Sequence, residues 1–154
     1  MGVQSDVKVR FINDEVAADP NGFSASAQVG NNAALVLGGA LASGGAVTLD
    51  SARTVSITSG GDDSGISFTV VGTDLDGASL TESITGGSST LSAGTKYFKT
   101  ITSITAVGDP AGTVIAGTTA SAADIIFGGR VRLKGYSIVS GGTAGVIQFY
   151  NGDP

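Results

Sequence analysis

Thr54-Val55-Ser56-Ile57-Thr58-Ser59-Gly60-Gly61-Asp62-Asp63-Ser64-Gly65-Ile66-Ser67-Phe68-Thr69-Val70 is the stretch that decides the fold. Val55 and Ile57 alternate with Thr54, Ser56 and Thr58, and after the break Ile66, Phe68 and Val70 alternate with Ser67 and Thr69. Apolar side chains at every second position put one side of the backbone in a core and leave the other polar, the signature of a half-buried strand. The Gly60 to Gly65 run between them supplies the backbone freedom and the side-chain oxygens of a turn.

The same pattern repeats outward. Upstream, Val47 and Leu49 open a strand; downstream, Asp74-Leu75-Asp76-Gly77 is a turn, and Leu80, Glu82 and Ile84 share the next period. Glu82 stands on the inward set, which predicts either a strand end or a bulge there. Tyr97, Phe98, Ile101, Ile104 and Val107 follow with one slip of period, Tyr97 and Phe98 as a core pair, and then Val114 and Ile115. Six or seven short strands separated by turns predict an all-β fold, an Ig-like β-sandwich over residues 45–120.

Two flanking units are expected. Residues 1–44 read as an extended N-terminal arm: Val7, Val9 and Phe11 alternate with Lys8 and Arg10, residues 13–22 carry acids, Pro20 and Asn21-Gly22, and residues 24–45 are mostly Ala, Ser, Gly and Asn. A stretch so poor in large side chains does not offset its own ordering entropy, so it is expected to lie on a neighbour or to stay mobile. Residues 121–154 read as a C-terminal β hairpin unit, with Arg130 to Tyr136 and Val146 to Tyr150 joined by a Ser140 to Gly145 turn. A lone hairpin is marginal in water, and Asn151-Gly152-Asp153-Pro154 is itself turn chemistry, after which a further strand is expected.

Composition narrows the function. The chain has no His, no Cys and no Trp but 25 Gly. That removes Ser-His-Asp, Cys-His and zinc chemistry together, because histidine is the proton carrier near neutrality and cysteine the ready nucleophile and soft ligand. Net charge is −5 with only 8 Lys and Arg, against a phosphate-backbone partner, so no nucleic acid is expected. The most apolar stretch, residues 33–42, is broken by Gly38-Gly39 and falls short of the roughly 20 residues that span a bilayer, so no membrane is expected. Aromatics are 6% of the residues, so the core must come from small aliphatic side chains, with further burial expected between subunits of a homo-oligomer, a trimer as the leading expectation.

Four constellations contain the residue types from which sites are built. Asp62-Asp63 and Asp74-x-Asp76-Gly77 offer oxygens to a hard cation, but the EF-hand spacing is absent and Asp before Gly is ordinary turn chemistry, so no metal is expected. Glu82 with Asp74 or Asp76 is the one pairing to entertain for glycoside hydrolysis, and the chain has no tryptophan platform to go with it. The glycine runs at 38–45 and 141–145 match neither the dinucleotide fingerprint nor the phosphate loop, and no cofactor is expected. Arg130, Arg132 and Lys134 form one face of a strand: a solvated edge blocked against aggregation, or a contact for an acidic neighbour. With Val7, Val9 and Phe11 these are the candidate subunit contacts, and no catalytic residue is expected.

Ala52 to Ser59, Asp62 to Gly65, Phe68 to Asp74, Asp76-Gly77, Leu80-Thr81-Glu82 and Phe98 to Ile104 together resemble a module that recurs in tailed-bacteriophage virion surface proteins, an Ig-like sandwich of decoration, cement and fibre components. Lys134-Gly135 through Ser140 to Gly145 to Phe149-Tyr150 is similar to small β-rich phage structural proteins in which further strands follow. The resemblance implies a non-enzymatic virion protein: a capsid decoration or cement protein on the capsid exterior, partnered by the major capsid protein or other virion subunits, or alternatively a tail or head-fibre component that binds the host surface.

Overall fold

The structure, a computed structural model, describes residues 17–125, 135–137 and 146–149. Among them no helix forms, and the strands make one antiparallel sheet: β1 (Asp19–Gln28), β2 (Ala42–Ser43), β3 (Ala46–Ser59), β4 (Ser67–Thr73), β5 (Ser79–Thr85), β6 (Leu91–Ala93), β7 (Phe98–Val107) and β8 (Thr113–Ala123). The strands run in the order β1-β8-β3-β7-β4-β5, with β2 and β6 also on β3.

β3 organises the sheet because it changes partners along its length. Its first half pairs with β2 and β7, through Val47 to Ala42 and Ile101; its second half pairs with β6 and β8, through Ile57 to Ser92 and Ala116. In its first half only alternate side chains are buried, Val47, Leu49 and Ser51, whereas beyond the register shifts near Arg53 both faces are covered, with Ala52, Thr54 and Ser56 buried as well as Val55, Ile57 and Ser59. Phe23 on β1 and Ile84 on β5 stand at opposite ends of the strand order yet belong to one buried cluster with Val55, Phe68, Phe98 and Ile104. The sheet therefore curls until its two ends close on a single core.

The segment expected to be an arm through residue 44 is, from Asp19 onward, part of this core. β1 pairs with β8, and Phe23, Val29, Leu35 and Leu37 are buried. Residues 32–35 run beside the end of β7, with Leu35 N–H on Ile104 O at 2.8 Å and Ala106 N–H on Ala33 O at 3.0 Å. The expectation failed because the segment closes with few large side chains: full burial of a ring the size of Phe23 contributes about 2–3 kcal/mol, and glycine lets backbones touch. Gly117 on β8 is one such place; a Cβ there would meet the backbone of Asp19 and Pro20, where β1 leaves register.

Three further corrections concern register. β5 is regular across Glu82, which pairs with Val70 with neither a strand end nor a bulge. Tyr97 is half-buried and Phe98 alone fills the expected core pair. β8 runs past residue 120, since Ala122 and Ala123 pair with Arg53 and Ala52.

Candidate functional site

Three loops meet at one end of the sheet. The turn after β3 presents Asp63, whose N–H donates to Gly87 O at 2.9 Å and whose Oδ1 accepts from Ala111 N–H at 2.7 Å. Ser89 N–H donates to Gly61 O at 2.7 Å, and Asp62 bridges to Ser88. Asp63 is completely buried and its Oδ2 has no hydrogen-bond partner. Gly86 is required beside it, because a Cβ there would lie 2.7 Å from the Asp63 Cβ and carbonyl oxygen. Asp62 and Asp63 are adjacent in one turn, yet Asp63 is buried and Asp62 exposed.

Asp62 turns outward and caps its own loop. Its Oδ1 accepts from Ser64 Oγ at 2.8 Å and Ser64 N–H at 3.2 Å. These bonds, the hydroxyl first, hold its carboxyl below the ordinary value of 3.8. Asp74 also caps its own turn, its Oδ1 accepting from Asp76 N–H at 3.0 Å and Ala78 N–H at 2.8 Å. Asp62 and Asp74, two of the four aspartates that offer oxygens to a cation, thus have local work within their own turns.

Glu82 is the carboxylate whose role the sequence signalled without revealing. It lies on the inward set of β5, 8% exposed, and clamps the β6–β7 connection: Oε1 accepts from Thr95 N–H at 2.6 Å, Thr95 Oγ–H at 3.0 Å and Lys96 N–H at 3.3 Å. A buried carboxylate stabilises a fold only when such donors meet it. Its oxygens are engaged by the backbone and hydroxyl donors of Thr95 and the backbone of Lys96, which argues for a positioning role within the fold.

The described cations are used similarly. Lys96 Nζ donates to Thr81 O at 2.8 Å, Lys99 Nζ to Asp50 O at 2.6 Å and Arg53 Nη1 to Ala17 O at 3.3 Å. The expected contact residues Val7, Val9, Phe11, Arg130, Arg132 and Lys134 lie outside the described residues. Next to the cationic run, Tyr136 is exposed and meets Phe149 with ring centroids 5.2 Å apart and planes at 46°. This contact joins the two runs read as hairpin strands. Val146, Ile147 and Phe149 are exposed as well.

No family model, curated protein or solved structure matches the chain. The described geometry is therefore read by its own chemistry: carboxylates tied into backbone, cations on main-chain carbonyls, and apolar side chains facing water.

Proposed function

We propose that this chain is a non-enzymatic bacteriophage virion structural protein, a capsid decoration or cement protein on the capsid exterior that assembles as a homo-oligomer against the major capsid protein. The curled sheet is read as an Ig-like β-sandwich, supported by the single core that both ends of the sheet share. The observation that carries the reading is the use of Asp62, Asp63, Asp74 and Glu82 as fasteners of loops, while Tyr136, Val146, Ile147 and Phe149 face solvent. Such a surface gives contact area rather than reactive groups. The working mechanism is mass action: a subunit that binds only the closed lattice stabilises that lattice by its binding free energy.

The exposed ring pair Tyr136 and Phe149 favours a second reading, a tail or head-fibre component that binds the host surface. Labelling the chain on intact particles separates the two. Label in a regular array over the head supports the cement reading, label at tail or fibre tips replaces it with host binding, and particles without label overturn the virion assignment.

A further inference from the structure

All three prolines of the chain follow aspartate: Asp19-Pro20, Asp109-Pro110 and Asp153-Pro154, the last outside the described residues. Asp-Pro is a peptide bond that breaks readily in mild acid, for a reason the two residues carry themselves. An aspartate carboxyl reaches its own carbonyl carbon through a five-membered ring, and proline offers a tertiary amide nitrogen that leaves once it is protonated.

The two described bonds have different surroundings. Asp109 is exposed between β7 and β8, and Pro110 O accepts from Gln28 Nε2 at 3.1 Å. Asp19 is half-buried at the start of β1, where its N–H donates to Thr118 Oγ1 at 3.1 Å and Arg53 Nη1 donates to Ala17 O at 3.3 Å. The Asp19–Pro20 peptide lies over Gly117, whose missing Cβ leaves room for the Asp19 carbonyl oxygen and the Pro20 carbonyl group. Ser56 stands opposite Gly117 on β3, and residues directly opposite in an antiparallel pair put their side chains on one face, with Cβ atoms about 5 Å apart. Ser56 is wholly buried and its Oγ has no hydrogen-bond partner. An unpaired hydroxyl and this peptide bond therefore share one covered patch, and a buried polar atom without a partner calls for an explanation.

We propose that Asp19–Pro20 is a self-cleavage site at which the Ser56 hydroxyl stabilises the charge that develops on the Asp19 carbonyl oxygen. An Asp19 carboxyl oxygen attacks the carbonyl carbon of the same residue; the bond from that carbon to the Pro20 nitrogen breaks, and the carboxyl proton passes to the departing nitrogen. The cyclic anhydride left on Asp19 takes up one water and opens to two carboxyl groups, so the net change is hydrolysis. Negative charge collects on the carbonyl oxygen at the tetrahedral stage, where a fixed donor in a covered site acts most. The bonds at Asp19 N–H and Ala17 O hold the acyl side in place. The cut separates residues 1–19 and spares the sheet, since Ser24, Ala27 and Gln28 keep their β8 partners.

The inference is independent of the virion reading, and its test involves no particle. The purified full chain is held in mildly acidic buffer in which its circular dichroism spectrum is unchanged, and intact mass follows the products, with Asp109–Pro110 as the internal reference. The cut after Asp19 is expected to be roughly tenfold faster than the cut after Asp109, the effect of about one added hydrogen bond, and the two rates are expected to converge in urea. Ser56→Ala is expected to remove the excess while the Asp109 cut keeps its rate, and Asp19→Asn to abolish the first cut. Equal rates at the two bonds in the folded chain, or an excess that persists in urea, overturn the proposal, and neither measurement needs a variant to fold. An excess that survives Ser56→Ala in a folded variant overturns it as well.

Discussion

The loop at residues 60–65 and the turn at residues 74–77 are built from the same Asp, Ser and Gly chemistry, yet they act over different distances. Asp74 fastens backbone no further than Ala78, whereas Asp63 reaches Ala111 on a loop 48 residues away. Glu82 belongs with Asp63, since it reaches Thr95 and Lys96 across the β5–β6 region. A carboxylate that closes its own turn stabilises a few residues; one that ties separate loops stabilises the closure of the sheet. The difference should be measurable as stability.

The largest effect is expected at Glu82. Glu82→Ala removes a nearly buried carboxylate and leaves the Thr95 and Lys96 N–H groups without their acceptor, a loss of about 3 kcal/mol, since bonds to charged groups are worth about 1.5–3 kcal/mol each and are not additive. Urea denaturation reads it as a lower midpoint at constant slope. A loss no larger than that of Asp74→Ala would erase the distinction between long-range and local carboxylates.

Asp63→Ala is expected to cost about 2 kcal/mol, from the lost Ala111 bond and the cavity left behind, offset in part by relief of the unpartnered Oδ2. Asp63→Asn sharpens the point. It keeps an oxygen acceptor for Ala111 in a side chain of nearly the same shape, so its midpoint should lie closer to the parent than that of the alanine variant. Gly86→Ala drives a methyl against the Asp63 backbone and should also cost about 2 kcal/mol by overpacking. Asp74→Ala opens only a half-buried turn and should cost about 1 kcal/mol, close to the loss of a helix or turn cap.

Legibility in the sequence follows the same division between near and far. Val55 with Ile57, Phe68 with Val70, and the Asp74 turn were readable because periodicity and turn chemistry are local. The burial of Phe23, Val29, Leu35 and Leu37 was not, because their spacing follows neither strand nor helix and their partners, β7 and β8, lie far along the chain. At Glu82 the inward phase was visible, but nothing in the flanking residues announces donors thirteen positions on. For Asp63, its neighbour Asp62 offered the same residue type one place away, and only the Gly86 and Ala111 backbones distinguish the two.

Asp62 provides the smallest and most specific test. Its carboxyl is held below 3.8 by the Ser64 hydroxyl and then the Ser64 N–H, with Ser88 adding a lesser contribution and desolvation opposing. Because the folded value is depressed, the unfolded chain takes up the proton first as pH falls. The stabilisation is therefore fully present above 3.8 and is lost as pH falls through the lower folded value. Asp62→Asn keeps an acceptor for Ser64 and removes the titrating group, so it should melt slightly below the parent at neutral pH and converge with it as pH falls, flattening this part of the acid limb. Thermal melts taken from roughly pH 6 down to roughly pH 2.5 measure it directly. An acid limb of identical slope in parent and variant would mean that the Ser64 bonds do not discriminate between the two protonation states, and that the local carboxylates of this fold act as turn geometry alone.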